Sequence, residues 1–112
     1  MTEEWRPVPG FPNVEASPLG RVRFCGLPAP TKLWGVYEYV YIPASVSAVK
    51  YRRTQSVHAL VARAFLGERP RRHAVDHVDG NPQNNRLDNL EYVTYSENMR
   101  RGWAMRRSAQ SS

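Results

Sequence analysis

Four polar side chains, Asp76, His77, Asn89 and Asn98, lie within the stretch AVDHVDGNPQNNRLDNLEYVTYSENMRRGW that runs from Ala74 to Trp103. A carboxylate and an amide oxygen are hard ligands of the kind that Mg²⁺ or Mn²⁺ accepts while keeping several waters and meeting a substrate phosphate. Histidine is the side chain whose unperturbed pKa lies near neutrality, so His77 can take a proton from water at working pH. A cation to stabilise developing charge and an imidazole to activate water are together what phosphodiester hydrolysis requires.

These side chains need elements that bring them to one point. Ala74 to Val78 is a short apolar run between Pro70 and the Asp79-Gly80 turn signal, which predicts a strand ending in a turn. Asp79 to Asn89 reads as a polar loop, and Leu90, Tyr92 and Val93 as a second short strand. Thr94 and Glu97 then form an S/T-x-x-E capping pattern, which predicts a helix from about Tyr95 toward Arg107 with Asn98 in its first turn. Successive strand residues point to opposite faces, so a strand that twists or breaks at Asp76-His77 is expected if both are to reach one site.

Val75 to Asn81, Asn84-Asn85 and Asn89 to Asn98 together resemble the HNH endonucleases of the ββα-metal fold, in particular the phage and intron-encoded homing type. That resemblance implies Asp76 and Asn98 as ligands of one divalent metal ion, His77 as general base, and Asn89 as the residue that pins the loop and orients the histidine. Taken singly, an Asp-His pair before an Asp-Gly turn is a solvated strand end, and asparagines are common in turns. Order and context, rather than any one residue, carry the assignment.

Further toward the amino terminus, Trp5, Pro7, Gly10, Phe11, Ser17, Gly20, Arg21, Val22 and Arg23 resemble the nuclease-associated modular motif that precedes many phage HNH domains. Ser17-Pro18-Leu19-Gly20 predicts a hairpin turn between Asn13 to Ala16 and Arg21 to Phe24. Residues 25–35 read as a loop. Val36 to Ile42 reads as a strand with Tyr37, Tyr39 and Tyr41 on one face, for which core packing is the commoner fate. Lys50 to Arg53 suggests a returning strand. Ser56 reads as a helix cap, and Val57, Leu60, Val61, Ala64 and Phe65 follow the spacing of a helix with one apolar face. His58 within that helix reads as a structural histidine, and His73 matches no ligand position.

The expectation is thus an α+β fold: a β-rich module over 1–54, an HNH element over 55–108 and a disordered tail over 109–112. With 112 residues the chain is about one domain's worth, able to bury only a modest core. A single cysteine, Cys25, leaves neither an internal disulfide nor a Cys-x-x-Cys structural zinc knuckle. A net charge of +6 suits a polyanion partner, and Arg52, Arg53, Arg71, Arg72, Arg100, Arg101, Arg106 and Arg107 are the candidate DNA contacts. The expected partner is double-stranded DNA, bound by a monomer or homodimer. No apolar run approaches the length of a membrane span and no secretory signal is visible, which suggests a cytoplasmic, bacterial or phage-encoded protein. A non-catalytic DNA-binding module of the same fold is the main alternative, and a small RNA-binding or assembly protein a third that leaves the polar constellation unexplained.

Overall fold

The structure, a computed structural model, describes residues 3–47 and 53–110, with side chains described as far as Gly102. An antiparallel meander of β1 (Arg6–Pro7), β2 (Val14–Ala16), β3 (Val22–Phe24) and β4 (Leu27–Pro28) opens the chain. A second antiparallel sheet follows, β5 (Thr31–Trp34), β6 (Tyr37–Tyr41) and β7 (Thr54–Ser56), leading directly into α1 (Val57–Leu66). The hairpin β8 (His73–His77) and β9 (Leu90–Thr94) and the helix α2 (Tyr95–Gln110) complete a ββα unit. This is a small α+β architecture with a β-rich part and two helices. Among the described residues, no helix is long and apolar enough to cross a membrane.

Alternation explains the sheets. In β2 and β3, Val14, Ala16, Val22 and Phe24 face inward while Glu15 and Arg23 pair outside at 2.8 Å. The inward set meets Val57, Leu60 and Val61 of α1, together with Val40, Ile42 and Leu90, in one core. That core is continuous across the 54/55 boundary expected from sequence, which falls inside β7. Each of the valine, leucine, isoleucine and phenylalanine side chains among them contributes on the order of 2 kcal/mol by leaving water.

Several sequence expectations need correction. Residues 25–35 are not a loop: Cys25 and Gly26, at φ 51° and 83°, make the two-residue turn that closes β3 onto β4, and β5 follows. Two positive φ values match the right-handed strand twist, and Pro28 is tolerated because β4 is an edge strand. The tyrosine face of β6 is not core, since Tyr37 and Tyr41 are exposed while Val40 and Ile42 are buried. Ser56 stands at the cap position of α1 but caps nothing; its hydroxyl lies 3.4 Å from His58 Nε2 instead. The expected strand at 50–53 lies largely outside the described residues, Arg53 excepted. The tail expected from residue 109 gives way to helix as far as Gln110, the extra turn being built from the helix-compatible Ser-Ala-Gln run. Residues 111–112 lie outside the described residues.

Candidate active site

The hairpin and α2 form an open cleft of about 380 Å³, to which Asp76, His77, Asn98 and Arg101 all contribute. The β8–β9 ladder is regular through the site, pairing Asp76 with Glu91 and His77 with Leu90. The pairing therefore runs unbroken through the Asp-His pair. It ends at His77 itself, where Gly80 N–H donates to the His77 carbonyl and closes the turn that carries Asp79 and Gly80. Alternation then sends the Asp76 side chain toward α2 and that of His77 toward α1 and the loop, one on each side of the cleft's floor.

Asp76 is buried, and its Oδ2 accepts from Arg101 Nη1 at 2.7 Å. The same guanidinium donates to Glu91 and, through Nε, to Glu97 at 3.1 Å. The Glu91, Asp76 and Glu97 carboxylates, in that order of effect, hold Arg101 still more firmly protonated than a free arginine. Arg100 and then Arg101 hold the Glu97 carboxyl below the usual range. Thr94 caps α2 as its pattern predicts, its Oγ1 accepting from Glu97 N–H at 3.2 Å, and this fixes the helical turn that carries Asn98 to the cleft.

His77 is 8% exposed. Its Nε2 lies 3.0 Å from Asn85 Oδ1, and its ring packs edge-on against His58 at 4.8 Å between centroids. Tyr37 flanks both imidazoles. Burial, and secondly the neighbouring His77, push the His58 pKa down to about 4. Burial thus favours the neutral form of His58, the residue that its place on α1 reads as structural. His73 turns away, with Nδ1 2.8 Å from the Arg71 carbonyl.

Asn89 pins the loop: its Oδ1 accepts from Asp79 N–H at 2.9 Å, and its Nδ2 donates to Asp79 Oδ1 and to the Asn84 carbonyl, each at 2.9 Å. The hydrogen bonds from Asn84, Asn81 and Asn89 lower the Asp79 carboxyl pKa. The side chain in hydrogen-bond contact with His77 is Asn85, not Asn89. Asn85 stands in the Asn-Asn pair visible in the sequence. Its second partner, Glu38 Oε1 at 3.3 Å, lies in β6 and has no local sequence signal at all.

The divalent-metal reading can be tested on the donor set. Asp76 and Asn98 offer one carboxylate and one amide oxygen, and among the described residues no three histidine, cysteine or carboxylate side chains converge into a cage. Few protein oxygens with room for water suit a Mg²⁺-like ion, and the Arg101 guanidinium already holds one oxygen of the Asp76 carboxylate. The arginines divide. Arg71 and Arg72 are exposed beside the hairpin, and Arg100 is exposed though paired with Glu97 at 2.8 Å. Arg101 belongs to the carboxylate network, while the half-buried Arg53 donates to the Ile42 and Ser47 carbonyls at 3.2 and 3.3 Å and so braces backbone. Arg52 and the side chains of Arg106, Arg107 and Trp103 lie outside the described residues.

Residues 55–100 match the family model described as HNH endonuclease. Over 98 residues the chain is 33% identical to an uncharacterized HNH endonuclease of Acanthamoeba polyphaga mimivirus, covering 88% of this chain and 29% of that protein. It is 50% identical over 42 residues to YosQ of Bacillus subtilis, named as an SPbeta prophage-derived HNH homing endonuclease, covering 38% of this chain and 24% of YosQ. The chain thus spans under a third of the length of either relative. Among solved structures it is similar to the HNH homing endonuclease I-HmuI, solved in work on its DNA binding and cleavage, with a TM-score of 0.74 and 26% identity over 96% of this chain and 64% of that one.

Proposed function

We propose that this chain, whose residues 55–100 match the HNH endonuclease family model, is a metal-dependent nuclease that hydrolyses phosphodiester bonds in duplex DNA. The observation that carries this reading is the convergence of Asp76, His77 and Asn98 on one cleft. Asp76 and Asn98 are the residues that hold the divalent ion, Mg²⁺ or Mn²⁺, which supplies charge stabilisation to the phosphate oxygens when bound. His77 is the general base that takes a proton from the attacking water, and the hydrogen bond of its Nε2 to Asn85 leaves Nδ1 as the accepting atom. Asn89 holds the loop that closes this side of the cleft. Arg71, Arg72 and Arg100 contact phosphates flanking the scissile bond, which gives affinity without sequence information.

A second reading, a DNA-binding module without chemistry, draws on one feature: Asp76 is already ion-paired to Arg101. Incubation with supercoiled plasmid separates the two. The nuclease converts it to open-circle or linear form with Mg²⁺ or Mn²⁺ and stops on chelation, whereas the binding module retards the plasmid and leaves it covalently intact.

A further inference from the structure

We propose that Glu38, on β6 and remote in sequence from the ββα unit, sets the tautomer of His77 through Asn85. A carboxylate only accepts hydrogen bonds, so the Asn85 atom 3.3 Å from Glu38 Oε1 must be the amide nitrogen. That orientation turns Asn85 Oδ1, which also only accepts, toward His77 Nε2 at 3.0 Å. His77 Nε2 therefore carries the hydrogen, and the lone pair is left on Nδ1. Each step follows from donor and acceptor types, so the charge on Glu38 dictates an amide orientation, and the amide dictates an imidazole tautomer.

The surroundings make the relay rigid. Asn85 is 4% exposed, so neither end of its amide can exchange its partner for bulk water. Glu38 is fixed from its other oxygen by Thr31, whose Oγ1 donates to Oε2 at 2.9 Å across the β5–β6 ladder. The backbone of Asn85 is clamped by the first hairpin: a Cβ on Gly20 would stand 2.7 Å from the Asn85 carbonyl carbon, and Leu87 N–H donates to the Pro18 carbonyl at 2.9 Å. The amino-terminal sheets thus act on the site by holding a positioning residue, in addition to whatever surface they offer.

The catalytic meaning of this relay rests on His77 as proton acceptor, but its test does not. Imidazole nitrogen chemical shifts of the ¹⁵N-labelled full chain, read at about pH 8.5 where a histidine of ordinary pKa is neutral, report the tautomer directly. The wild-type His77 should be overwhelmingly the Nε2–H form. Glu38→Gln, which can donate as well as accept, releases the amide and should give a mixture with a several-fold larger share of Nδ1–H. The double variant Glu38→Gln/Asn85→Asp restores an acceptor-only group facing the imidazole and should return the Nε2–H form, a rescue that a merely structural role for either residue would not produce. A wild-type Nδ1–H tautomer, or an unchanged ratio in folded Glu38→Gln, would overturn the relay. If the predicted shifts appear in a chain that cleaves no DNA, the relay stands and the nuclease reading fails.

Discussion

Acid should weaken this fold through His58, and the amount can be worked from its surroundings. The ring is packed against His77 and Tyr37, its Nδ1 has no hydrogen-bond partner among the described residues, and its pKa falls to about 4 against an ordinary 6.5. The native state therefore keeps His58 neutral while the unfolded chain takes up a proton below about pH 6.5. Stability from this residue is complete above that pH and is lost as pH falls toward 4, because the unfolded state then binds more protons. The 2.5-unit depression corresponds to at most about 3.4 kcal/mol, and partial solvent access to the ring reduces it to roughly 2 kcal/mol. The Asp79 carboxyl, itself held low, contributes its loss at still lower pH and does not confound the window. Urea denaturation from pH 7 to pH 4.5 on the wild type and on His58→Gln measures the effect as a difference in slope, which is insensitive to the packing cost of the substitution. The wild type should lose about 2 kcal/mol more across that range than the variant, and parallel pH profiles would refute the reasoning.

Gly20 and Gly26 share a φ of +83°, but a Cβ meets the Asn85 backbone only at Gly20. Gly26→Ala should therefore cost about 1 kcal/mol in thermal melts and Gly20→Ala at least twice that, and equal losses would show that the contact with Asn85 is not tight. Arg101→Met removes a cation from Asp76, so Mn²⁺ binding without DNA, followed by calorimetry, should tighten on the order of tenfold; unchanged or weaker binding would place the ion elsewhere. Replacing Arg71 and Arg72 together with alanine should flatten the log–log salt dependence of duplex DNA binding by about two units, and retention of the parental slope would remove that turn from the interface.

The ββα unit was legible because its signals are local: the Asp-Gly turn, the Thr94–Glu97 cap and the apolar returns at Leu90 and Val93 each specify their own element. The position of α1 was legible for the same reason, through the spacing of Val57, Leu60 and Val61. What escaped depends on pairings distant in sequence. β4 and β5 are short, exposed edge pieces with no apolar alternation to announce them, and only the Cys25-Gly26 turn betrays them. The outward tyrosines of β6 could not be assigned a face until Val40 and Ile42 were seen to take the core. Glu38 meets Asn85 across a gap of 47 positions, and Arg101 reads in sequence as one more phosphate contact in a basic helix. Its capture by Asp76, Glu91 and Glu97 is a product of tertiary geometry.

The central claim, that His77 performs base catalysis in a cleft that Asp76 and Asn98 equip for a divalent ion, is tested most directly by single-turnover cleavage of plasmid DNA by wild type and His77→Ala, with DNA affinity measured in parallel. Loss of roughly a hundredfold or more in rate at unchanged affinity is expected of a positioned general base. A His77→Ala protein that binds and cleaves at the parental rate would contradict it.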